Sequence, residues 1–223
     1  MAKANRIYIP SSGPSAWKQF LAEPEKQWRT GYSARTLAHS WEMSQGLPLE
    51  VARMFPNESE LLIAIPEHKV ALPGGGRESQ NDVFALIRHG DLTCASMIEG
   101  KVNEPFGPTI GDWMKEASQG KLNRMTYLCD LLGLPVRPEA TIRYQLLHRT
   151  ASAIIEAKRF KTDEAAMFVH SFSPDRMWFQ DFAAFVHLLG CSVMPDQPAE
   201  VRLPDGMLLR LGWASGDMSF LAA

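Results

Sequence analysis

Asp82, Glu99 and Lys101 are the residues whose types and spacing point to chemistry. In Ile98-Glu99-Gly100-Lys101-Val102 the carboxylate and the ammonium are two residues apart. On a strand, where side chains alternate faces, they therefore point the same way. Gly100 between them leaves the backbone approachable. The apolar runs on either side of Gly90-Asp91 read as the two strands of a hairpin closed by a two-residue loop. Pairing residues whose numbers share one sum then sets Asp82 opposite Glu99. Two carboxylates and an ammonium are expected at one end of a buried hairpin.

Two like charges buried together repel, and one carboxylate takes up a proton unless a cation offsets the repulsion. A divalent metal does this. Hard oxygen ligands suit Mg2+ or Mn2+, which keep several waters and accept phosphate oxygens, whereas the histidines show no His-x-x-x-His spacing and the cysteines no zinc pattern. A metal-bound water, its pKa lowered, would be the nucleophile, and Lys101 would orient it or stabilise the charge that grows on an attacked phosphate. Taken alone, Glu-x-Lys on a strand is far more often a surface ion pair. Here the flanking strand is too apolar for a solvated edge, and an Asp stands at the spacing a hairpin requires.

Several elements must position these residues. Arg6 to Ile9 reads as a short strand, and Ser15 as the cap of a helix carrying Trp17, Phe20 and Leu21. A second helix is expected from Ser33 to Met43, with Gly46 and Pro48 as stop signals and Glu42 near its end. Glu60 to Ile65 is an apolar run ending at Pro66, and Pro73-Gly-Gly-Gly76 is a flexible loop. Asp82 to Arg88 and Leu92 to Lys101 are nearly continuously apolar, the pattern of strands covered on both faces. Thr141 to Phe160 is the clearest helix, feeding a strand from Ala165 to His170. Ser173-Pro-Asp175 opens a further helix through Phe179, Phe182, Phe185 and Leu189, ended by Gly190. Those aromatics, with Trp178, have the spacing of a buried helical face. Glu200 to Trp213 holds two short runs about Pro204-Asp205-Gly206, a hairpin signal.

The stretch from Ser79-Gln80-Asn81-Asp82 to Glu99-Gly100-Lys101-Val102 resembles the signature of the PD-(D/E)XK nuclease superfamily, and is similar to a bacterial family of uncharacterised proteins placed in it. The resemblance implies an α/β, restriction-endonuclease-like fold, a mixed central sheet flanked by helices, spanning residues 1–223 as one domain. It makes Asp82 and Glu99 metal ligands and Lys101 the catalytic lysine. Many members add an acidic residue from the helix before the sheet, for which Glu42 is the best match. Gln145 and His148 sit where related enzymes present a polar residue from the helix after the core. Against this, His148 reads more simply as a hydrogen-bonded helix histidine, and Glu67, His68 and Glu104 as polar residues at strand ends. Asn81 stands where the signature has Pro, a position that varies in the superfamily.

The 223 residues suffice for one substantial core, and 45% apolar with 22% charged residues is ordinary globular composition. Cys94, Cys129 and Cys191 are scattered and odd in number, which fits a reducing compartment. Met1 to Pro10 lacks a signal-peptide run and no stretch is long enough to span a membrane, so the expected location is cytoplasmic. A net charge of -2 gives no broad positive field, so a nucleic acid must meet a local patch. Candidates are Arg143, Arg149, Lys158, Arg159 and Lys161, and a second group of Lys115, Lys121 and Arg124, each group taken alone reading as a solvated face. The leading expectation is a Mg2+- or Mn2+-dependent phosphodiesterase acting on DNA or RNA, with no membrane partner and a homodimer allowed for. The alternatives are a catalytically inactive binding or assembly module on the same fold, and a hydrolase of a small phosphorylated substrate.

Overall fold

A computed structural model describes residues 11–44 and 46–223. After a 3-10 helix at Pro14–Phe20 come α1 (Pro24–Gln27), α2 (Ser33–Met43) and α3 (Leu49–Ala52), and then β1 (Ser59–Val70), β2 (Ser79–His89) and β3 (Leu92–Lys101). Next are α4 (Ile110–Met114), α5 (Gln119–Leu132), α6 (Tyr144–Phe160) and β4 (Glu164–Ser171). The chain continues with α7 (Phe179–Leu188), β5 (Ala199–Arg202), β6 (Leu208–Ser215) and a 3-10 turn at Met218–Ala222. Among the described residues the strands form a six-stranded sheet in the order β1-β2-β3-β4-β6-β5. The first three strands are antiparallel, β4 and β6 lie parallel to β3, and β5 returns antiparallel on β6.

Helices cover both faces, because alternate residues of the central strands are apolar on each. Val83, Ala85, Ile87 and Ile98 pack with Leu37 and Trp41 of α2 and with Val51 and Met54. Phe84, Ala95 and Met97 pack on the other side with Leu146, Leu147 and Ile154 of α6 and with α5 and α7. The protein is thus mixed α/β with a sheet sandwiched between helical layers, and no helix of the described residues is long and apolar enough to cross a membrane.

The expected hairpin is present: His89 pairs with Leu92 across Gly90-Asp91, and the register runs on to Val83 opposite Ile98. Gly90 has φ +55, a left-handed conformation that the two-residue loop requires. Helix α2 and the tail hairpin also lie where the sequence places them. Other boundaries differ. Pro66 does not end β1, which runs on to Val70. It can do so because β1 is an edge strand, where a residue without an N–H is tolerated. The first helix is a 3-10 turn capped at Gly13 rather than an α-helix capped by Ser15. Helix α6 starts at Tyr144, since Arg143 is still extended, and α7 starts at Phe179 after a left-handed Trp178. The strand expected at Arg6 to Ile9 lies outside the described residues.

Candidate functional site

Asp82, Glu99, Lys101, Gln145 and His148 line one pocket of about 470 Å³. Its floor is the end of the β2–β3 hairpin, its wall is α6, and its rim comes from Glu104 to Pro108 and the chain before α2. Glu99 and Lys101 share the face that α6 covers, as strand alternation demands. Gly100, between them, points to the opposite face, where a Cβ would come within 3.1 Å of Leu37 Cδ2. Its N–H donates to Asp82 Oδ2 at 2.8 Å. Glycine suits the position because α2 packs closely over it, whereas the amide that holds Asp82 is one that any residue but proline would supply.

Glu99 is the most firmly held side chain in the pocket. Oε1 accepts from Lys101 Nζ at 2.6 Å and Gln145 Nε2 at 2.7 Å, and Oε2 accepts from Arg149 Nε at 2.7 Å. Burial alone would raise its pKa, but the charges of Arg149 and Lys101 overcome that and bring it down to about 2. Lys101 Nζ also lies 4.9 Å from the Phe106 ring centroid. Arg149 belongs to a group that reads from the sequence as a solvated basic face, yet it is 8% exposed and turned onto Glu99. The signal for this was available: Gln145 and Arg149 are four apart, one helical turn, on the same face as the residue expected to reach the pocket.

Glu67 enters the pocket as well. The β1–β2 register pairs Pro66 with Val83 and His68 with Asn81, which sets Glu67 opposite Asp82, itself opposite Glu99. Three adjacent strands thus bring three carboxylates into one row, where directly opposed residues lie about 5 Å apart at Cβ. Glu67 has φ +53, strained for a residue with a side chain. Its Oε2 accepts from Gln80 Nε2 at 2.6 Å. Burial, reinforced by the Asp82 charge, pushes the Glu67 carboxyl up to about 8, and burial reinforced by Glu99 pushes Asp82 up to about 7. Asp82 keeps part of its surface open to the pocket, so the enclosing protein, not complete removal from water, is the cause.

His148 donates to or accepts from Ser79 Oγ through Nδ1 at 2.8 Å, and burial with the nearby Arg149 charge holds its pKa well below the usual histidine range. It is a neutral ring at the pocket edge. Glu104 accepts from the Ser33 and Val102 amides at 2.8 and 3.0 Å, tying the rim to α2. Glu42 is not in the pocket. Its Oε1 accepts from Trp17 Nε1 at 2.7 Å and also from Ser11, because α2 packs on the face of the hairpin opposite to α6, with its end against the preceding 3-10 turn. Among the described residues no group of three or more His, Cys, Asp or Glu is gathered closely enough to enclose a metal ion. Each carboxylate of the row leans on a different donor: Gln80, the Gly100 amide, and the Arg149–Lys101–Gln145 set.

The family described as Domain of unknown function (DUF6946) matches residues 10–218, so the chain belongs to that family. No curated protein and no solved structure matches the chain.

Proposed function

We propose that this member of the DUF6946 family is a metal-dependent phosphodiesterase acting on a nucleic acid, built on a restriction-endonuclease-like core. The observation that carries this reading is the row Glu67, Asp82, Glu99 with Lys101 beside it in one solvent-reachable pocket. Two of the three carboxylates are pushed up to about 7 and 8, by burial first and by a neighbouring carboxylate second, so near neutral pH they hold protons that an entering cation would displace. The donor set fits a hard divalent cation: Asp82 and Glu67 would hold Mg2+ or Mn2+, with the acceptor position that Glu99 has left. Such an ion supplies charge neutralisation at a phosphate and a water of lowered pKa. The protein's own contribution is placement. Glu99 fixes the Lys101 ammonium as a preorganised donor toward the developing phosphate charge, and Arg149 and Gln145 keep Glu99 from moving. The order helix, strand, hairpin, helix, strand through β4 is also the order the resemblance implies.

A second reading has its own support. Glu99, engaged by three donors, is as well explained by a structural ion cluster in an inactive binding module.

Manganese titration followed by incubation with single-stranded and duplex DNA and RNA separates the two. The expected result is manganese binding with proton release near pH 7 and cleavage abolished by chelation. Lys101→Ala should still bind manganese but lose cleavage by about a hundredfold or more, and Asp82→Ala should lose both. Manganese bound with all four substrates left intact would hand the assignment to the binding module or to a hydrolase of a small phosphorylated substrate.

A further inference from the structure

Beside the carboxylate pocket lies a second cleft, of about 480 Å³, between the glycine loop and the start of α5, and Tyr144 and His148 line both cavities. The charge of the two is opposite. The cleft is lined by Arg77, Lys121 and Arg124 against one carboxylate, Glu78, whereas the pocket has Glu67, Asp82, Glu99 and Glu104 against Lys101 and Arg149. We infer that this cleft is a phosphate-binding site that seats the nucleic-acid backbone next to the reacting phosphodiester, an inference that rests on the phosphodiesterase reading.

The side chains around the cleft are built round a cation with no carboxylate in salt-bridge contact among the described residues. Arg124 is 8% exposed, and its guanidinium donates to the carbonyls of Pro73 at 2.9 Å, Arg77 at 3.0 Å and Leu72 at 3.4 Å, and to that of Gly75. Lys121 Nζ likewise donates to carbonyls, Trp113 O at 2.7 Å and Lys115 O at 3.4 Å. Dipoles satisfy the donors but leave the net charge in place, and a buried charge is ordinarily matched by an opposite one.

Tyr144, 7% exposed, lines both cavities and buries its hydroxyl beside Arg124, from which it can only accept, so its O–H has no acceptor among the described residues. The loop sits directly on the first turn of α5, where a Cβ on Gly74 would lie 2.1 Å from Gly120 O. Only glycines permit that approach, and it brings the positive end of a 14-residue helix to the cleft. A compact dianionic or monoanionic phosphate, with several acceptor oxygens, answers the buried cation, the free hydroxyl and the helix end together.

The test is anisotropy of a fluorescein-labelled 12-nucleotide single strand, titrated with the full chain in excess chelator, with inorganic phosphate and adenosine monophosphate as competitors. Binding should weaken with salt and be reversed by inorganic phosphate. Tyr144→Phe keeps the ring stacked on Trp113 at 3.9 Å, and should weaken binding about fivefold, with a smaller loss in Arg77→Gln. Arg124→Lys loosens the loop and is read only beside those two. A strand bound at least ten times tighter than the mononucleotide assigns the phosphate to a polymer, and equal affinity assigns it to a small phosphate ester. Affinity untouched by both Tyr144→Phe and Arg77→Gln, or no binding at all, overturns the site. Because chelator is present, the outcome is independent of cleavage. A chain that binds in this manner yet cleaves nothing with manganese keeps the cleft and loses the nuclease, and the converse result separates them the other way.

Discussion

The sheet carries a buried acid–base cluster at each end, and the two differ in how their charges balance. At the end where β4 begins, Glu164 accepts from Arg210 Nε at 2.6 Å and Nη2 at 3.0 Å and faces His89 Nε2 at 3.0 Å, while Arg210 also reaches Glu200. The Glu164 carboxyl is brought below its usual range, burial being outweighed by Arg210 and His89. At the other end Glu99 is held equally well, but two further carboxylates face it with raised pKa values. None of Glu164, Arg210 or His89 lines the carboxylate pocket. A buried ion pair is therefore not by itself the sign of a site. What distinguishes the pocket is two further carboxyls raised by burial and by like charge in a cavity that solvent reaches, at the carboxyl end of β3, a place where sheets of this kind commonly receive ligands.

The contrast can be broken by removing one cation from each cluster. Arg210→Met leaves the buried Glu164 with His89 alone and releases the half-exposed Glu200, and should destabilise the fold by about 3–5 kcal/mol in urea titrations. Arg149→Met, beside a pocket that water can enter, should cost about half as much, with Lys101 still on Glu99. Equal losses would mean that the two clusters are the same kind of structure.

A smaller effect depends on pH. A carboxyl raised in the folded state keeps its proton there after the unfolded chain has lost it, so it withdraws stability as pH climbs from its ordinary value to its folded one. That window runs from 3.8 to about 7 for Asp82 and from 4.5 to about 8 for Glu67. Asp82→Asn should therefore stabilise the metal-free protein by on the order of 1–2 kcal/mol at pH 8 and by little at pH 4, as read from thermal melts. Glu164→Gln should do the opposite, because a lowered carboxyl contributes stability above its ordinary pKa. The smallest change belongs to chemistry of the same type in the open: Arg88 pairs with Glu60 with side chains 53% and 41% exposed, and Arg88→Ala should shift stability by about 0.5 kcal/mol or less.

The β2–β3 hairpin and the Asp82–Glu99–Lys101 grouping could be read in the sequence because every step was local: period-two alternation, a two-residue turn and a fixed register. Gln145 and His148 followed from the helix that must cover that hairpin. Glu67 was harder. Pro66 reads as the end of the first strand, and the long 71–78 connection sets no turn register between β1 and β2, so no counting rule carries Glu67 to Asp82. Glu42 failed for a related reason, since the helix face that meets the sheet is chosen by packing of Leu37 and Trp41, not by the acid at the helix end. Helix α5 has no strong apolar period, with Lys121, Asn123 and Asp130 among its positions, so the sequence pattern does not mark it. Its role in the cleft depends on Gly120 meeting Gly74 across 46 residues of chain. Arg124 and Arg149 look like surface charge in one dimension because burial of a cation is decided by partners that the local sequence does not display.

The two-residue turn at Gly90-Asp91 also sets the order in which the site is assembled. Closing such a hairpin takes on the order of microseconds and needs only neighbouring chain, whereas Arg149 must come from 50 residues beyond Glu99. The acids are thus brought face to face before the arginine that holds one of them has arrived. In the nascent hairpin water still solvates both acids, and they stay ionised beside Lys101. Docking of α6 buries them, so Asp82 takes up a proton while Arg149 holds Glu99 ionised, and formation of the pocket is a proton-coupled folding event.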